Sequence, residues 1–254
     1  MERDVIFNQC CIEGMKALPA QSIDLVLCDL PYGTTGNKWD AVIPFADLWE
    51  QYNRITKLNA AIVLFSDEPF TCALIKSNLR NFRYKWIWNK ERGSNFQNAR
   101  RMPMKSHEEI CVFYRKSPVY NPQWWYSTPY KTTERERRAE IEGLRGGSAA
   151  QVCTATISED GRRYPLSILT FPRDGKRVHP TQKPVPLLEY LIKTYSNEGD
   201  IVLDNCFGSG STLIAAANIG RHYIGFENDP YYFDIACQRL DEVENGRGGV
   251  MLDG

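Results

Sequence analysis

The chain predicts an α/β fold built on a mostly parallel, doubly wound sheet, and three features carry that expectation. Short apolar runs rich in β-branched residues recur at residues 23–28, 61–65 and 201–203, each bounded by polar or turn-forming positions. Stretches between them place apolar residues at helical spacing, as with Phe45, Leu48, Trp49, Tyr52 and Ile55. Alternation of strand and helix at this spacing favours parallel pairing through crossovers. With 254 residues, the chain suits one α/β domain carrying an insertion.

In chain order, residues 5–7 read as a short strand and 12–18 as a helix stopped at Pro19. Residues 23–28 form the next strand, and Asp29-Leu30-Pro31-Tyr32-Gly33 is its tip. A polar loop, 34–40, follows, with Trp39 placed to pack over that tip. Helix 44–58 begins with Pro44, as first turns tolerate, and strand 61–65, helix 68–79 and strand 83–89 succeed it. Residues 90–106 are basic and poorly periodic, so they are expected to form a mobile loop near a partner's phosphates. Strand 109–114 precedes the least sheet-like region, which holds Trp124 and Trp125, a charged stretch at 132–145 and the hinge-like Gly146-Gly147-Ser148. The carboxyl third returns to pattern with strand 200–204, a glycine-bearing turn, helix 213–219 and strand 223–227.

Two strand tips carry chemistry. At the first, Asp29 offers a carboxylate, Pro31 holds Leu30 extended so that its carbonyl can point outward, Tyr32 presents a flat face, and Gly33 lets the chain turn away. Such a kit suits a planar substrate that donates an amino group. At the second, Asp204 precedes Cys206-Phe207-Gly208-Ser209-Gly210 and a helix start near Thr212. The free amides there suit a ligand, but Asp204 would repel a pyrophosphate and hold an ammonium or sulfonium. Glu227, with Asn228 behind it, ends the next strand where an acidic residue can accept ribose hydroxyls. These features favour S-adenosylmethionine over a nicotinamide dinucleotide, for which the third glycine is missing.

Net charge is zero, yet it is unevenly spread: residues 76–177 hold 21 Lys and Arg against 10 Asp and Glu. A block that basic on an otherwise acidic chain is the footprint of a nucleic-acid surface. Lys90, Arg92, Arg100, Arg101, Lys105, Arg135, Arg137 and Arg138 are its candidate phosphate contacts, and Trp124 and Trp125 either stack on bases or form a small local core. Eight cysteines without a C-x-x-C pair point to reduced core thiols and no metal site. Neither a long apolar run nor a signal-peptide start is present, so a cytosolic protein is expected.

Four motifs together resemble the β-group of DNA amino-methyltransferases, in which the catalytic motif precedes the cofactor motif. They are D-L-P-Y-G at Asp29, H-P-T-Q-K-P-V-P-L-L-E-Y-L-I from His179, L-D-N-C-F-G-S-G-S-T from Leu203 and I-G-F-E-N-D-P-Y-Y from Ile224. The resemblance implies a circularly permuted, seven-stranded Rossmann-like sheet, with residues 1–116 and 166–254 as the two halves of one methyltransferase domain and 117–165 as a target-recognition insertion. It further implies S-adenosylmethionine as methyl donor and double-stranded DNA as partner, in a bacterial or phage setting. A homodimer and a companion restriction enzyme stay open.

Carried over by position, the resemblance makes Asp29, Leu30, Pro31 and Tyr32 catalytic, with Leu30 where relatives have proline. Asp204, Cys206, Phe207, Gly208, Ser209, Gly210, Thr212, Glu227 and Asn228 become cofactor residues, with Cys206 at the usual phenylalanine. Thr181 and Lys183 are expected at the cofactor's methionine end, and Gln9 and Cys10 near its adenosine. His179 is given a packing role. Asp at the head of the tetrapeptide favours the 6-amino group of adenine. The alternatives are the 4-amino group of cytosine, an RNA or protein amide, and a DNA-binding regulator with a vestigial pocket.

Overall fold

A computed structural model describes residues 1–36, 40–94, 96–131, 157–173 and 182–248. Expectations for Trp39, Arg135, Arg137, Arg138, His179 and Thr181 therefore lie outside the described residues. The chain divides into two compact units, Pro122–Leu166 and the remainder.

In the larger unit the elements run β1 (Val5–Asn8), α1 (Cys11–Ala17), β2 (Ile23–Asp29), α2 (Phe45–Ile55), β3 (Thr56–Ser66), α3 (Phe70–Ser77), β4 (Phe82–Ser94) and β5 (Lys105–Phe113). The smaller unit supplies β6 (Trp125–Tyr126), β7 (Tyr130–Lys131), β8 (Ile157–Ser158) and β9 (Arg162–Arg163), which pair as β6 with β9 and β7 with β8. The larger unit resumes with β10 (Ile168–Thr170), α4 (Val185–Tyr195), β11 (Ile201–Asp204), α5 (Ser211–Asn218), β12 (His222–Glu227) and α6 (Pro230–Gly248). None of the described helices is long and apolar enough to cross a membrane.

The main sheet has the order β1-β12-β11-β2-β3-β5-β4-β10. Only β5 runs against its neighbours, β3 and β4. Eight strands replace the expected seven, because the three residues of β10 add a parallel edge beside β4. A second departure concerns residues 90–106. Instead of a loose loop, β4 continues to Ser94, β5 begins at Lys105, and a short 3₁₀ turn lies between.

Central strands are buried on both faces, as helix-covered parallel strands must be. Leu25 and Leu27 of β2 join Leu188 and Leu191 of α4 and Leu213 of α5 in one core. Val26 and Cys28 join Met15 of α1 and Leu48 and Tyr52 of α2 in the other. The alternation sends successive side chains to opposite helical layers. By the same parity Asp29 lies on the α4 side, at the strand's end.

Chain direction reverses its march across the sheet between β2 and β11, whose residues Val26 and Leu203 are partners. That junction is a topological switch point, where the loops leaving the two strands part and open a crevice. Asp29 and Asp204 end those two strands.

Candidate active site

One cavity of about 520 Å³ lies over this junction and is lined by Asp29, Leu30, Pro31 and Tyr32 from the first tip and by residues 204–209 and 226–229 from the second. Gln9, Cys10, Lys183 and Thr212 also line it. Among the sequence-derived candidates, the tetrapeptide and nearly all described cofactor residues are thus brought together. Gly210 does not line the cavity. It caps α5 at φ 80°, and a Cβ there would meet Ala236 at 3.0 Å.

The Asp29 carboxylate is held on both oxygens. Oδ1 accepts the Tyr32 hydroxyl at 2.6 Å, and Oδ2 accepts the Lys183 ammonium. Burial pushes the Asp29 carboxyl above the ordinary range, and the Lys183 ammonium pulls it back in part. Tyr32 stacks on Phe70 with ring centres 5.1 Å apart. Its phenol is driven well above its usual range by burial and by the Asp29 charge beside it.

Asp40 is a residue that the sequence did not mark. Its carboxylate accepts the amides of Gly33, Thr34 and Thr35 at 2.7–2.9 Å, which ties down the turn leaving the tetrapeptide. Burial would raise its carboxyl, but the Thr35 hydroxyl and these amides together hold it below the usual range. Glu108 is the second unmarked residue. It contacts Lys183 at 3.3 Å and Lys90 at 3.0 Å. Burial opposes its charge, yet the two ammonium groups hold its carboxyl down at about 2.

Lys90 requires a correction. Expected at phosphates, it is only 3% exposed and spends its charge on Glu108, so it has no reach to a polyanion outside. Lys105 is ion-paired with Asp67. Arg92, Arg100 and Arg101 are exposed. In the smaller unit, Trp124 packs on Tyr164 with ring centres at 4.3 Å, and Trp125 Nε1 donates to the Tyr164 carbonyl at 2.9 Å, while both tryptophans keep an exposed face.

At the second tip, Asp204 is 2% exposed and accepts the Cys206 amide at 3.1 Å. Burial pushes its carboxyl up to about 6, against the opposing pull of the Thr212 hydroxyl and that amide. Glu227 takes the Gly208 amide on one oxygen and the Asp229 amide on the other, both at 2.8 Å. Burial also raises Glu227. Phe207 is buried, near Phe233 and against the bare backbone of Gly225. Ser209 is tied by Arg239. The cavity therefore presents a buried carboxylate, Asp204, and a half-buried one, Glu227, with apolar walls, on one side and the Asp29 carboxylate on the other. A cation with sugar hydroxyls fits the first half, and a flat amine donor the second.

Fold and cavity together define a class I methyltransferase. Residues 23–238 match the family described as DNA methylase (N6_N4_Mtase), and the chain belongs to it. It is 27% identical to the type II methyltransferase M1.MboII of Moraxella bovis over 96% of this chain and 99% of that one. Among solved structures, the M1.HpyAVI complex with S-adenosylmethionine matches with TM-score 0.61 and 22% identity, covering 92% of this chain and 98% of that one. The cytosine-N4-specific PvuII DNA methyltransferase matches with TM-score 0.67 and 13% identity, covering 96% and 92%. At those identities the two structures speak to the fold.

Proposed function

We propose that this protein transfers a methyl group from S-adenosylmethionine to the 6-amino group of adenine in duplex DNA. The observation that carries the reading is the shared cavity: a carboxylate-headed D-L-P-Y tip and an acidic glycine turn open into the same space. Its size lies within the ~300–1,000 Å³ of ligand pockets. Asp204 fits the cationic half of the donor, and Glu227 fits a ribose. Gln9 and Cys10 line the wall where the adenosine is expected.

When bound, S-adenosylmethionine supplies a methyl group already activated by a sulfonium. What remains is to make a poor nucleophile better. The exocyclic lone pair of adenine is delocalised into the ring, so Asp29 and the Leu30 carbonyl, by accepting its two N–H bonds, favour a pyramidal nitrogen and offset its developing positive charge. Tyr32, backed by Phe70, offers the flat surface on which the base is held. Alignment of the two reactants supplies a further large part of the rate. Asp29 is recessed, with its side chain 22% exposed, so the base must leave the duplex to reach it. The exposed Arg92, Arg100 and Arg101 would meet phosphates, and residues 117–165, with Trp124 and Trp125, would read the target sequence.

Transfer of tritium from labelled cofactor into duplex DNA, followed by nucleoside analysis, tests the proposal. Labelled N6-methyladenine is the expected product. Label confined to cytosine would move the acceptor to its 4-amino group, and tight cofactor binding with no transfer to DNA would favour a non-enzymatic regulator.

A further inference from the structure

The catalytic tip is backed by a row of alternating charges that the methyl-transfer chemistry has not yet used. Lys183, just ahead of α4, is 6% exposed, and its ammonium sits between Asp29 Oδ2 and Glu108 Oε2. Glu108, on β5, reaches beyond it to Lys90 on β4, and Arg173 stands 3.9 Å from the same carboxylate. Among the described residues, the contact nearest to Glu108 Oε2 is a long one: Lys183 approaches it at 3.3 Å while binding Asp29 more closely. One ammonium is therefore held between two carboxylates, fully engaged by one and only loosely by the other.

That arrangement addresses a conflict at Asp29. A buried carboxylate tends to take up a proton, and a protonated Asp29 would accept an amine poorly. The Lys183 ammonium keeps it ionised and oriented. Yet an ammonium resting on Asp29 also occupies the oxygen that the amine needs, and it opposes the positive charge that develops on the amine nitrogen. A second acceptor for the ammonium removes the conflict.

Resting on the proposed function, we propose that Lys183 and Glu108 are positioning residues for Asp29. Lys183 holds the carboxylate until the target amine arrives, then shifts onto Glu108 as the amine takes its place on Oδ2. The movement needed is small, since both oxygens already lie within 3.3 Å of the ammonium or closer. Lys90 fixes the far oxygen of Glu108, so that Oε2 faces Lys183. The Lys183 ammonium also lies 5.0 Å from the centre of the Phe65 ring, a face that tolerates a cation in either position.

Two measurements test this. The first needs neither DNA nor cofactor: pulse acetylation of the free protein across pH, with Lys183 followed by peptide mass spectrometry. Only the neutral amine reacts, and Asp29 and Glu108 both hold Lys183 above its usual range against the effect of burial. Glu108→Gln and Asp29→Asn should each make Lys183 reactive at lower pH than in the wild type. Unchanged profiles would overturn the shared ammonium.

The second measurement is the pH dependence of kcat with saturating duplex. The charged and titratable groups around Asp29 are Lys183, Glu108 and Tyr32, with Cys28 behind it on β2 and Asp204 across the switch point. Removing the Glu108 charge takes a like charge from Asp29, so the acid limb should move to lower pH. Lys183→Met takes away an opposite charge, so the limb should move to higher pH.

Glu108→Gln should also lower kcat by about tenfold with a smaller change in KM for DNA, and Glu108→Asp should recover part of the loss. Shifts in the same direction, or a loss confined to stability, would reject the positioning role. A wild type that methylates no DNA would defeat the functional reading alone, because the acetylation profile would still report on the ammonium.

Discussion

At the scale of single residues, the site depends on carboxylates kept charged where burial works against them. Asp29 is the sharpest case, and Asp29→Ala should reduce kcat at least about tenfold, or ~1.4 kcal/mol in the barrier, while DNA affinity is largely spared. Rapid-quench turnover beside filter binding would check both, and a smaller loss would deny Asp29 its polarising role. Asp204 makes a different prediction. Burial pushes its carboxyl up to about 6, and a cationic ligand requires the ionised form. Cofactor affinity should therefore be full above that pH and decline as pH falls through it, approaching about tenfold per unit well below it. Calorimetric titration should show the decline in the wild type, and Asp204→Asn, weaker throughout, should show none in that range.

At the scale of elements, the tight approach of the glycine turn to β12 is a place to test packing. A Cβ on Gly225 would sit 2.5 Å from a Phe207 ring carbon and 3.0 Å from Leu213, so Gly225→Ala should cost about 1–3 kcal/mol and loosen cofactor binding by displacing Phe207. Gly36→Ala, where nothing lies within 4 Å, should leave the melting temperature unchanged. Equal melting temperatures for the two variants would show that the turn yields freely. The same elements explain what was legible beforehand. Strands β2, β3 and β11 and both chemical tips were readable because each is a local pattern, an apolar run closed by an acid and a turn. The ends of β4 and β5 were not readable, because there the inward-facing side chains are the buried Lys90 and the half-buried Glu108, and polar residues paired across strands carry no apolar period. Strand β10 escaped for a related reason, with only Leu169 of its three residues buried. Glu108 reached the site unannounced since its partners, Lys90 and Lys183, lie elsewhere in the chain, and Asp40 because its partners are backbone amides of the turn, which carry no side-chain signal.

Across the whole molecule, the permuted order was visible from the motifs and is realised in the sheet as β1 lying parallel to β12, with Val5 opposite Ile224. Charge is less simply read. The basic block predicted a polyanion surface, but the structure withdraws some of its members into ion pairs, so counting cations overstates how many can reach phosphate. This separates two sets of variants. Replacing the exposed Arg92, Arg100 and Arg101 with Gln should weaken binding to all duplexes alike and flatten the plot of log affinity against log salt by about 0.9 for each phosphate no longer neutralised, with cofactor affinity unchanged. Lys90→Gln strands the Glu108 carboxylate beside fewer cations and should instead lower thermal stability while leaving the salt slope alone. Binding isotherms from low to moderate salt would decide the matter: a slope that falls for Lys90→Gln but not for the arginine variants would mean that DNA meets a different face of the protein.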